Sequence, residues 1–228
     1  MVRPGDRASG ALGLALAACL AVCLSSCNII VTKAPLFSPA DSAGAPPLKD
    51  GVWVADNDCK YDETKPAETW PGCAQWGVIR GNEVLAYNSS KTEWLRLQQF
   101  MLAAGKPLVM QVRSLPNKDD GGFSYVGVEP LAFDAVGNIT AFHSWGALCG
   151  PPPVQSNATG SNNPTDIDKA KANSSRTLAP LPGLTMDPDN GSDCTTNNPD
   201  AVRASAKASK AWDADPGQRA HWVRAGYH

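Results

Sequence analysis

The chain is poor in the residues and patterns that usually announce chemistry. It has three histidines in 228 residues, one of them the terminal His228. It contains no Gly-x-Ser-x-Gly elbow, no His-Glu-x-x-His and no phosphate-cradling glycine loop, which excludes the common serine-hydrolase, zincin and P-loop signatures. No Cys-x-x-Cys pair stands with histidines at metal-binding spacing, so no zinc site is expected. Charge is also scarce. The formal net charge is −2, with no basic excess to suggest nucleic acid and no long charged run to suggest a polyelectrolyte partner. Finally, no apolar run reaches the roughly 20 residues that a membrane-spanning helix needs.

What is present begins at the N-terminus. Arg3 and Arg7 stand against Asp6, and a short apolar run follows from Ala11 to Leu24. A positive end, a short apolar segment and small residues after it have the form of a secretory signal. Leu24-Ser25-Ser26-Cys27 resembles the lipobox of bacterial lipoproteins, in which the cysteine takes a diacylglycerol thioether and becomes the mature N-terminus. Leu20-Ala21-Val22-Cys23 is a poorer fit, because Val22 stands where the pattern wants a small residue. The resemblance implies cleavage before Cys27, lipid on that residue and a membrane as partner. Asn28, rather than Asp, follows Cys27, which favours the outer membrane over the inner. The signal peptide would take Arg3, Asp6 and Arg7 with it, a net +1, leaving the mature chain near −3.

The cysteines fit an exported chain. Cys19 and Cys23 lie in the signal and Cys27 is the lipid site, so Cys59, Cys73, Cys149 and Cys194 remain. Four exported cysteines allow three pairings. We favour Cys59–Cys73, closing a short polar loop, and Cys149–Cys194, tying down the irregular stretch after residue 150.

Along the chain, residues 27–50 hold Pro35, Pro39, Pro46 and Pro47 among Ala and Ser and read as a lipidated tether, semi-extended at about 3.1 Å per residue. An alternative is that Leu36-Phe37 docks it along the domain. Residues 51–149 read as a β-rich domain. Val52–Val54 is a short strand, and Gln75–Ile79 and Glu83–Tyr87 flank Arg80-Gly81-Asn82 as a hairpin. Residues 91–104 are ambiguous. Ser90 and Glu93 form a capping-box pattern, yet the apolar run Leu108–Val112 needs a neighbour, so 99–103 is assigned to a strand. Phe123–Val128 and Leu131–Phe133 follow, broken at Glu129-Pro130, where proline marks an edge or bulge. Ile139–Trp145 ends the series. Residues 150–197 are rich in Pro, Asn, Ser and Gly and read as a loop or disordered insertion. Asn198-Pro199-Asp200 then opens a helix over about 199–212, and His221–Arg224 is a last short strand. Residues 198–228 thus complete the domain. The expected class is β-rich α+β: a small antiparallel sheet or partly open barrel with one C-terminal helix.

Candidate chemistry is thin. His143 and Cys149 lie in one segment, and a cysteine nucleophile needs such a base. The alternative function is therefore a cell-envelope hydrolase or transferase using Cys149 and His143. The segment is distantly similar to the cysteine L,D-transpeptidases, but it lacks their His-Gly before the nucleophile and the Arg after it. A structural disulfide at Cys149 is the favoured role. Asp187–Asp193 resembles part of a calcium loop whose glycine falls one place early and which no glutamate closes. No metal, cofactor or catalytic residue is assigned. Trp53, Trp70, Trp76 and Trp145 fall near strands or loop mouths and are the candidates for stacking on a ligand. The expected function is a non-catalytic envelope module that binds an envelope protein or a glycan, or supports envelope assembly.

Overall fold

The computed structural model describes residues 28–89, 91–115, 122–151, 179–188, 193–212 and 218–226. The signal peptide, Cys27, Ser90, residues 116–121 and most of the 150–197 segment lie outside the described residues.

From Gly51 onward the chain runs through short β-type segments, in which side chains alternate between the two faces, and it folds as a meander. Strands β2 (Gly51–Ala55), β3 (Trp76–Arg80), β4 (Glu83–Asn88), β5 (Glu93–Ala103), β6 (Leu108–Ser114), β7 (Phe123–Phe133) and β8 (Ile139–Gly146) each pair antiparallel with the next. β11 (Gln218–Arg224) then inserts between β8 and β2 and closes an eight-stranded antiparallel barrel. Closure removes the free sheet edges that an open sheet would expose. A two-residue strand, β1 (Val31–Thr32), pairs with the start of β7.

The alternation sorts side chains into three clusters. Inward positions fill the barrel with Trp53, Ile79, Phe100, Met110, Val126 and Phe142, among others. The outward faces of β2–β4 carry Val52, Val54, Val78 and Leu85, covered by the loop 56–75 with Trp70 and Ala74. The outward faces of β6–β8 carry Val109, Tyr125 and Ala147, covered by the helix α1 (Pro199–Ser209) and by Ile30 and Phe37.

Local signals explain several elements. Gly81, at φ 59°, takes the first central position of the β3–β4 turn, where primed hairpin turns need a positive φ. The whole of Glu93–Ala103 is one strand, so the capping-box pattern ahead of it opens no helix. Burial decides this: Gln98, Phe100 and Leu102 sit inside the barrel wall opposite β6. Pro130 does not end β7. It lies beyond Val128, the last residue paired with β6, and beside a register shift against β8, so its missing N–H costs no ladder bond on the β6 side. α1 starts as its sequence implies. The Asn198 side chain accepts a hydrogen bond from the Asp200 N–H at 2.9 Å, and Pro199 is the first helical residue.

Two expectations are corrected. Residues 28–50 are not a free tether. Ile30, Phe37 and Leu48 are buried, and the segment wraps the barrel as a belt. It starts beside β7 and β8 at residues 28–32, crosses the outer face of β6 and β5 at residues 36–42, and closes over the barrel end, where Leu48 bridges Ile139. Buried apolar residues spaced along it outweigh its proline content. The described parts of 150–197 are not loose either. β9 (Thr185–Met186) pairs with β10 (Cys194–Thr195), and Leu184 and Cys194 are buried.

Candidate functional site

The four cysteines form Cys59–Cys73 and Cys149–Cys194, the pairing their spacing favoured. Cys149 is fully buried and its sulfur is bonded, so the Cys149/His143 pair holds no thiol for attack. The His143 ring packs tilted against Trp145, with ring centroids 5.2 Å apart. Among the described residues, no three His, Cys, Asp or Glu side chains gather where they could hold a metal ion.

The tryptophans divide. Trp53, Trp70 and Trp145 are 1%, 6% and 3% exposed, which corrects their assignment as ligand-stacking faces. Each indole N–H donates to a backbone carbonyl, of Lys49, Asp62 and Ala206 respectively, so both ends of the side chain are satisfied internally. Trp76 is half-buried. It belongs to a continuous ring chain on the outer face of β2–β5: Tyr61–Trp70 at 4.6 Å, Trp70–Trp76 at 6.2 Å, Trp76–Trp94 at 5.9 Å and Trp94–Tyr87 at 5.4 Å. The Cys59–Cys73 bridge closes the loop that lays Tyr61 and Trp70 against this wall.

A second feature, a cleft, has another origin. β4 begins at Glu83, opposite Gln99, while β5 runs on to Ala103. Beyond that point the barrel wall has a notch, bridged by the Phe100 N–H donating to the Asn82 carbonyl at 2.8 Å. The belt arches across it. The result is a cleft of about 1030 Å³ between belt, notch and β5–β6 wall. Phe100, Leu102 and Leu48 give it an apolar floor, Ala45, Pro46 and Pro47 its roof, and Met101 and Phe123 its outer flank.

Polar groups set the cleft's edges. Gln111 is 6% exposed in the middle of an apolar strand. Its carbonyl oxygen accepts from the Leu36 and Phe37 N–H groups at 2.8 and 3.0 Å, and its amide donates to the Phe37 carbonyl at 3.2 Å. This one side chain pins the belt to β6. The belt is held again where Asp41 accepts from the Ser38 N–H and hydroxyl, both at 2.8 Å, with Arg203 of α1 3.8 Å away. Those hydrogen bonds, and then the nearby guanidinium, keep the Asp41 carboxyl below its ordinary range. At the barrel end Lys49 lies 3.3 Å from Asp134 and 4.0 Å over the Trp222 ring. Asp50 accepts from the Gly81 N–H at 2.7 Å. Arg113 is exposed at the far rim, 5.8 Å from the Phe123 ring.

Sequence reasoning missed Gln111, Arg113 and the notch. A glutamine inside Leu108–Val112 was a signal that the strand meets a polar demand. The notch had no such sign, because it follows from unequal strand lengths in three dimensions. No protein-family model, curated protein or solved structure matches the chain.

Proposed function

We propose that this protein is a lipid-anchored lipoprotein of the bacterial envelope, attached through Cys27 and held at the outer membrane, that works as a non-catalytic binding module. The observation that carries the binding reading is the cleft: an apolar floor and flank, a volume that fits a small ligand, and few polar groups at its edges. Most of those edge groups already serve internal bonds. Arg113 at the rim suits the acidic or hydrogen-bonding end of an elongated, mostly apolar ligand. The bonded, buried sulfur of Cys149 speaks against the hydrolase or transferase alternative.

Two measurements test this. Purified protein should enhance the fluorescence of an anilinonaphthalene sulfonate dye, which combines an apolar body with an anion. Ala45→Trp should abolish the signal by filling the cleft, and Arg113→Ala should weaken it several-fold, both with unchanged melting temperature. Dye binding unaffected by either substitution refutes the cleft as the site. Separately, the mature N-terminal peptide should carry the mass of a diacylglycerol on cysteine, and Cys27→Ser should give an uncleaved or mislocalised precursor.

The aromatic chain on the outer face of β2–β5 supports a second reading, a glycan-stacking face through Trp76, Trp94 and Tyr87. Soluble peptidoglycan fragments that bind the wild type but not Trp94→Ala would favour it.

A further inference from the structure

The residues immediately after the proposed lipid site are not loose; they are gripped. Asn28 is 4% exposed and Ile30 fully buried. The Cys149 N–H donates to the Asn28 carbonyl at 2.8 Å, and the Cys194 N–H donates to the Ile29 carbonyl at 3.1 Å. Thus both half-cystines of one bridge hold the backbone of consecutive residues, 28 and 29. The Asn28 amide adds a bond to the Gly150 carbonyl at 3.0 Å, and the Ile30 N–H donates to Ala147. One trans peptide places successive Cα atoms about 3.8 Å apart, so an acylated Cys27 starts within one residue of this clamp.

We propose that the lipid holds the barrel flush on the bilayer, with no spacer, and that the Cys149–Cys194 bridge is the clamp that fixes this pose. The proposal rests on the lipoprotein reading. Its membrane-facing patch is the rim beside residues 28–30, made by Gly150-Pro151 and the segment 179–184, which bonds to Cys149 through the Leu181 N–H at 2.7 Å. That segment, Ala-Pro-Leu-Pro-Gly-Leu, is uncharged, and Pro151, Ala179 and Pro180 are exposed. This partly apolar stretch suits contact with a lipid interface, and the Asp193 carboxylate beside it is turned onto the Ile29 N–H at 3.4 Å. Round the barrel, β3 stands four strands from β7. The wall bearing Trp76, with Tyr61 in the loop packed over it, therefore faces away from the membrane, toward whatever the envelope offers there.

The test uses the full lipoprotein reconstituted in phosphatidylethanolamine–phosphatidylglycerol vesicles. A photoreactive benzoylphenylalanine is placed either at position 180, on the proposed contact rim, or at position 63, on the loop of the opposite wall. Position 180 should crosslink to lipid at least five-fold more than position 63. Ten Gly/Ser residues inserted between Cys27 and Asn28 should erase that difference. So should the paired substitution Cys149→Ala with Cys194→Ala, in protein whose β-sheet circular dichroism is retained. Equal labelling at 180 and 63 in a protein that carries the lipid overturns the flush pose alone. Strong labelling at 180 that survives loss of the bridge overturns the clamp. Absence of lipid mass on the N-terminal peptide overturns the lipoprotein reading, and the pose with it.

Discussion

At the scale of single residues, the belt depends on a few polar contacts inside an apolar setting. Gln111 is the clearest. Removing it leaves the Leu36 and Phe37 N–H groups without their acceptor in a place that solvent barely reaches. Unmet buried donors cost about 1–3 kcal/mol, so Gln111→Ala should destabilise the protein by roughly 2 kcal/mol in urea titration. It should also speed amide exchange at residues 36–38 more than at β3. Uniform exchange throughout would show that Gln111 does not pin the belt. Asp134 gives a pH prediction. Burial raises its pKa, but bonds from the Asn138 backbone and side chain, from Lys49 and from the Val136 N–H outweigh this and hold it at about 2 against an ordinary value of 3.8. A depressed folded-state pKa contributes stability that is present above about pH 4 and fades as pH falls through about 2. The urea midpoint of the wild type should therefore drop between pH 4 and pH 2 more steeply than that of Asp134→Asn. Parallel slopes would remove Asp134 from the account.

At the scale of elements, α1 is a short helix with small residues on its inner face. Ala201, Val202, Ser205, Ala206 and Ser209 are buried, and two of them bond the barrel directly. The Ser205 hydroxyl donates to the Leu148 carbonyl at 2.6 Å, and the Ser209 hydroxyl accepts from the Leu148 N–H at 2.9 Å. Small side chains allow this close approach to β8. A helix this short has little stability by itself, so its cap matters. Asn198→Ala should cost about 1 kcal/mol, read as a lower melting temperature, with Asn198→Asp close to wild type. The β7–β8 contact sets another limit. A Cβ added at Gly127 would fall 2.4 Å from the Trp145 ring. The ring is fixed by its bond to the helix at Ala206, so it cannot swing away. Overpacking of this kind costs about 1–3 kcal/mol. Gly127→Ala should show that loss, and Gly127→Ala with Trp145→Phe should recover part of it.

At the scale of the whole molecule, the two bridges differ in what they join. Cys59–Cys73 closes a separation of 14 residues within one covering loop. Cys149–Cys194 spans 45 and joins the end of β8 to β10, beside the belt's first residues. Loop entropy alone ranks them at about 3 and 4 kcal/mol. Replacing the second pair by alanine should therefore destabilise the protein more than replacing the first, and should be the change that frees residues 28–32 to proteolysis. The reverse ranking in guanidinium titrations would count against the belt as an integral part of the fold.

Much of this was legible in the residues because it depends on neighbours in sequence. The Gly81-Asn82 hairpin, the Asn198-Pro199 helix start and the runs of β-branched and aromatic residues that became strands are local matters of φ, hydrogen-bond supply and β propensity. The disulfide pairing was legible too, since four cysteines leave few choices. Other features depended on distant partners. Whether 28–50 is a tether or a belt turned on Gln111 and on a groove that exists only once β5 and β6 are paired. Whether Trp53 and Trp145 present faces or fill interiors turned on distant chain: Trp53 is enclosed by barrel closure through β11, more than seventy residues beyond β8, and Trp145 is covered by α1. The cleft arose where β5 outruns β4, a mismatch that no single segment records. Local chemistry determined which pieces form; only the closing of the barrel decided which side of each piece meets solvent.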